Sequence, residues 1–271
     1  MNFLLPIILF LALAVIAGGI LTYLSLKFPG EATESEIDVR NALPGLNCGM
    51  CGFAGCDEYA KKAVNDKIAP NLCVPGGEKT AAAISAITGV PYDSVKEVVA
   101  FVHCNGNYNA TKDKYNYRGV LSCAASSLFY GGRSSCSDGC LGFGDCESVC
   151  PTGAIKVVNG CARVNDSICT GCMLCTKVCP KHIISPKPKG APVSVACSSK
   201  LLGKQTRLTC KNGCIACKRC EKVCEFGAIK VTDNFAKIDY NLCTNCGKCA
   251  ESCPVGCIVD SRMPEENKKA V

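Results

Sequence analysis

The apolar and polar positions divide the chain into a long apolar start and a body of short, interrupted segments. Between Asn2 and Leu26 no side chain is charged, and Phe3, Leu4, Leu5, Ile7, Ile8, Leu9 and Phe10 open a nearly unbroken apolar run. A helix of about 20 such residues crosses a hydrocarbon core. An export signal is the rival, but it begins with basic residues and has a shorter apolar centre. Here the first basic residue is Lys27, just past the run. That position predicts a single-pass anchor in the cell membrane with the rest of the chain in the cytoplasm. Ala12, Ala14, Ala17, Gly18 and Gly19 would let another helix approach closely; a plain anchor explains them equally well.

Beyond the anchor, the polar stretch Gly30 to Arg40 reads as a short linker. Asp57 to Val64 has helical character. Glu78 to Thr88 and Tyr92 to Val102 have helical composition, broken at Gly89-Val-Pro91. Alternation then predicts strands at Ile155–Val158 and Ala162–Val164, and again at Ile229–Val231 and Ala236–Ile238. These segments recur at an offset of 74 residues: Gly153-Ala-Ile-Lys-Val157 returns as Gly227-Ala-Ile-Lys-Val231. Nine cysteines follow the same offset, from Cys123 with Cys197 and Cys136 with Cys210 to Cys179 with Cys253. A register this long marks a duplicated structural unit.

Composition changes the picture through one residue type. There are 26 cysteines in 271 residues. Such density suggests a disulfide scaffold in a small secreted domain, but this chain is long and its cysteines stand at metal-ligand spacings. Cys243-Thr-Asn-Cys246-Gly-Lys-Cys249-Ala-Glu-Ser-Cys253-Pro254 is the C-x2-C-x2-C-x3-C-P run of two-cluster ferredoxins, in which the fourth thiolate serves the other cluster. The spacing recurs at Cys169, Cys172, Cys175 and Cys179, and at Cys214, Cys217, Cys220 and Cys224. The formal charge of +7 counts every thiol as neutral. A [4Fe–4S] cluster on four thiolates carries roughly −2, so five or six turn the chain mildly acidic. With no Trp and no aromatics among the basic residues, nucleic acid is not an expected partner.

Crossing of the fourth ligand predicts the sets. In the second copy they are Cys214, Cys217, Cys220 and Cys253, and Cys224, Cys243, Cys246 and Cys249. In the first copy Cys150, Cys169, Cys172 and Cys175 make the regular set. Phe143 stands where Cys217 has its counterpart, so Cys136, Cys140, Cys146 and Cys179 are expected to make the other. A separate unit, Cys48, Cys51, Cys56 and Cys73, forms a single-cluster domain in which glycines let the backbone wrap an inorganic core. Zinc is the alternative occupant of such a four-cysteine unit. Cys104, Cys123, Cys197 and Cys210 are left over, either as a sixth set or as structural thiols. Cys161 and Cys257 read as small buried hydrophobes. Glu225, in place of the proline after Cys224, predicts a wetter site there.

No nucleophile–base pair, Walker loop or dinucleotide fingerprint occurs, and Thr152-Gly-Ala-Ile155 only faintly echoes a flavin attachment site. His103 and His182 are the only histidines; each reads as a hydrogen-bonding or surface residue before a ligand.

The apolar start, the Cys48–Cys73 unit and the downstream ferredoxin repeats together resemble, over nearly the full length, the B subunits of Rnf complexes. These are membrane-bound, ion-translocating ferredoxin:NAD+ oxidoreductases. The resemblance implies an electron-transfer subunit that takes electrons from reduced ferredoxin. It would relay them to partner subunits carrying flavins, the nicotinamide site and the ion path. The related complex that reduces a redox-sensing regulator has a similar B subunit, and a hydrogenase or formate dehydrogenase subunit and a zinc module are the other competing classes. The expected fold is α+β. It comprises a transmembrane anchor (1–28), a linker (29–44), a single-cluster domain (45–77) and a helical connecting segment (78–119). Two ferredoxin-like units (120–190 and 191–260) and a polar tail (261–271) follow.

Overall fold

The computed structural model describes residues 4–27 and 32–263. The start of the expected linker and most of the expected tail therefore lie outside the described residues. The first helix, α1 (Leu4–Lys27), is uniformly apolar and its described side chains face outward, as a helix meant for hydrocarbon must.

The stretch read as a linker contains a helix, α2 (Glu34–Ala42). Its start is a capping box: the Glu36 N–H donates to the Thr33 hydroxyl and the Thr33 N–H to the Glu36 carboxylate, each at 3.3 Å. Such a cap contributes about 1 kcal/mol. Val39 and Leu43 then pack on α3 (Cys56–Asn65), against Tyr59, Ala60 and Ala63. The fully buried Tyr59 donates its hydroxyl to the Ala69 carbonyl at 2.9 Å, fixing the loop that returns Cys73. A 3-10 turn (Pro70–Leu72) leads to α4 (Gly77–Thr88), which ends at Gly89 with φ 72°.

The second of the two expected helices is instead partly a strand, β1 (Val98–Val102). Its Val-Val-Ala-Phe-Val sequence buries Val99, Ala100 and Val102, and β-branched residues suit that pleated surface. Next come α5 (Cys123–Ser127), α6 (Asp145–Ser148), β2 (Ile155–Val158), β3 (Cys161–Val164), α7 (Leu174–Val178) and β4 (Ile184–Pro188). The second copy holds β5 (Val193–Val195), α8 (Gly203–Thr209), α9 (Arg219–Val223), β6 (Ile229–Thr232), β7 (Phe235–Ile238), α10 (Lys248–Glu251) and β8 (Ile258–Asp260).

The strands make antiparallel pairs. The hairpins β2–β3 and β6–β7 fall where alternation predicted them. The other pairs, β1–β4 and β5–β8, join each unit's far ends, with Val102 opposite Ile184 and Val195 opposite Ile258. The connecting segment thus donates a strand to the first unit. Each unit has its own core: Val102, Ile155, Ile183 and Ile184 in the first, and Val193, Val195, Ile229 and Ile258 in the second, with cysteines among both sets.

Candidate iron–sulfur centres

The helices α6, α7, α9 and α10 are barely one turn long, and each sits between cysteines of one run. A single turn puts residues three apart on one side and leaves the next cysteine to leave in the chain's new direction. This is how Cys172 and Cys175 face one group while Cys179 reaches another. Met173 and Lys218 hold the left-handed backbone that begins α7 and α9, with φ 56° and 58°.

Four expected sets are brought together. Burial first, then the neighbouring Cys56, Cys51 and Cys48, pushes the Cys73 thiol up to about 11. Cys175 rises to about 12 through burial and Cys172, Cys169 and Cys150. Cys220 rises to about 12 through burial, Cys214, Cys253 and Cys217, and Cys249 to about 11 through burial, Cys243, Cys246 and Cys224. Each thiol feels three others of its own set, including the crossed-over Cys150, Cys253 and Cys224. At pH 7 these thiols hold protons, so loading a metal centre must release them.

The remaining thiols regroup. Cys146 is raised to about 12 by burial, Cys140, Cys123 and Cys179. Cys123, Cys140, Cys146 and Cys179 line one apolar pocket with Val102 and Ile183. Cys136, expected there, lines a different cavity with Cys104, Cys197 and Cys210. Cys123 and Cys136 have therefore exchanged places relative to the sequence expectation, for a reason visible in the backbone. Cys104 and Cys197 each follow by two residues the paired Val102 and Val195 of β1 and β5. The Cys140 N–H donates to the Cys104 sulfur at 3.3 Å, and the Cys214 N–H donates to the Cys197 sulfur at 3.2 Å. Cys104 is thus the structural mate of Cys197, although the sequence offset pairs Cys123 with it.

Cys123 instead begins α5, inside the longer excursion that the first copy makes between Cys104 and Cys140. Asp145 holds that helix by accepting the Cys123 N–H at 2.8 Å, the Ala124 N–H at 3.0 Å and the Ser122 hydroxyl at 2.9 Å. The Phe143 N–H donates to the Cys123 sulfur, while the Phe143 ring turns away to the Arg133 guanidinium, 4.7 Å from its centroid. A residue from α5 takes the place that Phe143 leaves.

Cys161 and Cys257 are buried, as expected of small hydrophobes, and also hydrogen-bonded to ligand candidates. Cys257 lies 3.6 Å sulfur to sulfur from Cys253. Its thiol hydrogen bonds hold Cys253 down at about 5 and Cys214 at about 6, and Cys257 itself stays protonated. Cys161 likewise donates to Cys140, held at about 6, and to Cys104. His103 is spent on structure: its ring nitrogens meet the Val195 carbonyl at 2.8 Å and the Ser185 hydroxyl at 2.6 Å, tying β4 to β5. His182 sits in a left-handed turn, φ 51°, and its N–H donates to the Cys179 carbonyl. Glu225 is exposed and pairs with Lys248 at 2.5 Å.

Among the described residues no three His, Cys, Asp or Glu side chains close on a single metal ion. Three spaces are lined by four or more cysteines: the Cys123 pocket, the Cys104 cavity, which Cys140 also lines, and one with Cys224, Cys243, Cys246 and Cys249. Around the Cys104 cavity a Cβ on Gly106 would lie 3.4 Å from the Cys104 sulfur, and one on Gly139 3.5 Å from the Cys136 sulfur. Backbone N–H groups aimed at sulfur, such as Gly106 on Cys104 at 3.3 Å, favour anionic thiolates.

The groups also adjoin in series. Cys172 feels Cys48, and Lys177, on α7, donates to the Cys48 carbonyl at 2.7 Å. Cys146 feels Cys175. The Cys140–Cys104 and Cys214–Cys197 bonds place the Cys104 cavity between the two units. Cys220 on α9 and Cys224 just past its end belong to the last two groups.

Comparison with known proteins agrees with this geometry. An Fe-S cluster family model matches residues 43–75, 4Fe-4S binding domains match 139–154 and 162–185, and a 4Fe-4S dicluster domain matches 213–257. The chain is 41% identical over 221 residues to the B subunit of the Na(+)-translocating ferredoxin:NAD(+) oxidoreductase complex of Acetobacterium woodii, covering 81% of this chain and 66% of that one. It is 36% identical to the B subunit of the ion-translocating oxidoreductase complex of Methanosarcina acetivorans, over 90% of this chain and 95% of the relative. It is 38% identical to the B subunit of the proton-translocating ferredoxin:NAD(+) oxidoreductase complex of Clostridium ljungdahlii, over 91% and 88%. With thiol groups at the matched domains and identity across nearly the whole of two relatives, the chain belongs to the B-subunit family of ion-translocating oxidoreductase (Rnf) complexes.

Proposed function

We propose that the chain is a membrane-anchored electron relay of an ion-translocating ferredoxin:NAD+ oxidoreductase, taking electrons from reduced ferredoxin and handing them to partner subunits. Six [4Fe–4S] sites carry the relay. Their order is Cys48/51/56/73; Cys150/169/172/175; Cys123/140/146/179; Cys104/136/197/210; Cys214/217/220/253; and Cys224/243/246/249. A [4Fe–4S] group, when bound, supplies a one-electron couple with no substrate bond made or broken. The chain's own residues do the rest. Thiolates hold each group, backbone N–H and the Cys161 and Cys257 thiols donate to sulfur, and apolar side chains keep water out, which together order the potentials. The apolar α1 supports attachment to the membrane, with the cysteine-rich body on the cytoplasmic side. The observation that carries this reading is the serial adjacency of the thiol groups, with the Cys104 cavity bridging the duplicated units.

The test is anaerobic redox titration of the purified full chain by electron paramagnetic resonance, together with mixing against reduced ferredoxin. The expected result is several interacting [4Fe–4S] signals and rapid reoxidation of ferredoxin. Isolated, non-interacting signals would contradict the relay, and no reaction with ferredoxin would contradict the donor.

A further inference from the structure

The stretch from Lys200 to Lys222 is strongly basic. Lys200, Lys204, Arg207 and Lys211 lie on and around α8, and Lys218, Arg219 and Lys222 on and around α9. All seven are exposed, and among the described residues none forms an ion pair within 4 Å with an acid. Between residues 200 and 222 the only acidic residue is Glu221. The helix α8 packs closely on the segment that leads into α9. A Cβ on Gly203 would meet the Ile215 carbonyl oxygen, and one on Gly213 the Thr206 side chain, both within 2.5 Å. Within this basic stretch Cys217 directly precedes Lys218 and Arg219. Of all the cysteines only Cys217 and Cys246 are exposed. Around Cys246 the charges are already paired, Lys248 with Glu225 and Arg262 with Asp260; around Cys217 they are free.

We infer that the α8–α9 face around Cys217 is the docking surface for a small acidic iron–sulfur electron donor of the ferredoxin class. The inference rests on the relay reading above and adds the point of entry. With six loaded sites the chain as a whole becomes acidic, each site bringing roughly −2. Against that acidic background, seven exposed, unpaired cations with a single acid among them form a local attraction for an acidic donor. Such a patch raises encounter rates by about 10- to 1,000-fold and loses that gain in salt. The exposed Cys217 brings a loaded site's edge to the surface next to Lys218 and Arg219, a feature that serves electron exchange with a protein. A lipid surface would use the charge but not the thiolate.

The experiment is stopped-flow mixing of the oxidised full chain with a reduced bacterial two-cluster ferredoxin across a salt series. It compares wild type, K204E/R207E/K211E and a control K61E/K67E on and beside α3. The α8 variant is expected to react at least tenfold more slowly at low salt, with most of the salt dependence gone. Its iron content and paramagnetic spectra should be unchanged, and the control should match wild type. If charge reversal lowers the iron content, K204Q/R207Q/K211Q makes the same comparison with a smaller drop. An α8 variant with wild-type rate and salt dependence overturns the inference, as does an equal loss in the control. An unchanged rate with lost binding to phosphatidylglycerol vesicles assigns the patch to the membrane instead. A wild-type chain inert toward the ferredoxin overturns the donor reading itself, and this inference with it.

Discussion

Replacing Cys257 with alanine separates a ligand from a residue that tunes one. Cys257 is 1% exposed, and its sulfur lies 3.6 Å from that of Cys253. Its one S–H proton is shared between Cys253 and Cys214, which belong to one four-thiol set. An added electron increases the negative charge on those sulfurs, so a donor to them stabilises the reduced form, and its loss lowers the potential. A net hydrogen bond contributes about 0.5–1.5 kcal/mol, and a thiol donor belongs near the lower end. The single S–H proton makes one such bond, shared between the two sulfurs, worth about 0.5–1 kcal/mol. For one electron a tenfold change in equilibrium is about 59 mV, so the midpoint should fall by about 20–40 mV. Folding stability should fall by about 1 kcal/mol for the lost buried sulfur. Redox titration followed by paramagnetic resonance reads the shift, and iron analysis confirms that all sites remain filled. Cys257→Ser, which keeps a donor, should stay near or above the wild-type midpoint. An unchanged or raised midpoint in Cys257→Ala refutes the tuning argument. Loss of about four iron atoms would make Cys257 a ligand and refute the set itself.

Two further outcomes follow from the same geometry. Cys123→Ala should abolish the site shared with Cys140, Cys146 and Cys179, whereas Cys136→Ala should abolish the one between the units and leave the Cys146 site intact; site-resolved redox titration distinguishes them. His103→Ala strands the Val195 carbonyl and the Ser185 hydroxyl, costing about 1–3 kcal/mol; thermal melts should show the loss with the iron content unchanged.

How far the sequence could be read depended on what set each feature. Sixteen of the cysteines sit in four groups that the run spacing and the crossing of Cys150, Cys224 and Cys253 already implied, because one-turn helices leave little freedom. The hairpins at Ile155 and Ile229 were visible as alternation. The exchange of Cys123 and Cys136 was not. The 74-residue offset aligns the chain by sequence, while the long-range pairs β1–β4 and β5–β8 align it by hydrogen bonding, and the first copy's longer loop separates the two registers. The Phe143 substitution signalled a missing ligand but not which distant residue replaced it. The helix at Glu34 had a local signal, Thr33 with Glu36 three residues on, that the acidic composition of the stretch masked. Val98–Val102 shows the opposite failing: its β-branched run outweighed the helical composition before it once Ile184–Pro188 offered a partner. The donor bonds of Cys161 and Cys257 left no mark in spacing, since any small apolar residue would satisfy burial.

The most direct test of the account is the iron and acid-labile sulfide content of the anaerobically reconstituted full chain beside its Cys197→Ala variant. Cys197 lies in the cavity that joins the two copies, and it belongs to no ferredoxin run. About 24 iron atoms in the wild type, falling to about 20 in the variant with the interaction between the two units' signals lost, is the result expected at four iron atoms per site. About 20 in both would show that the Cys104, Cys136, Cys197 and Cys210 thiols are structural, and that the relay is broken between its halves.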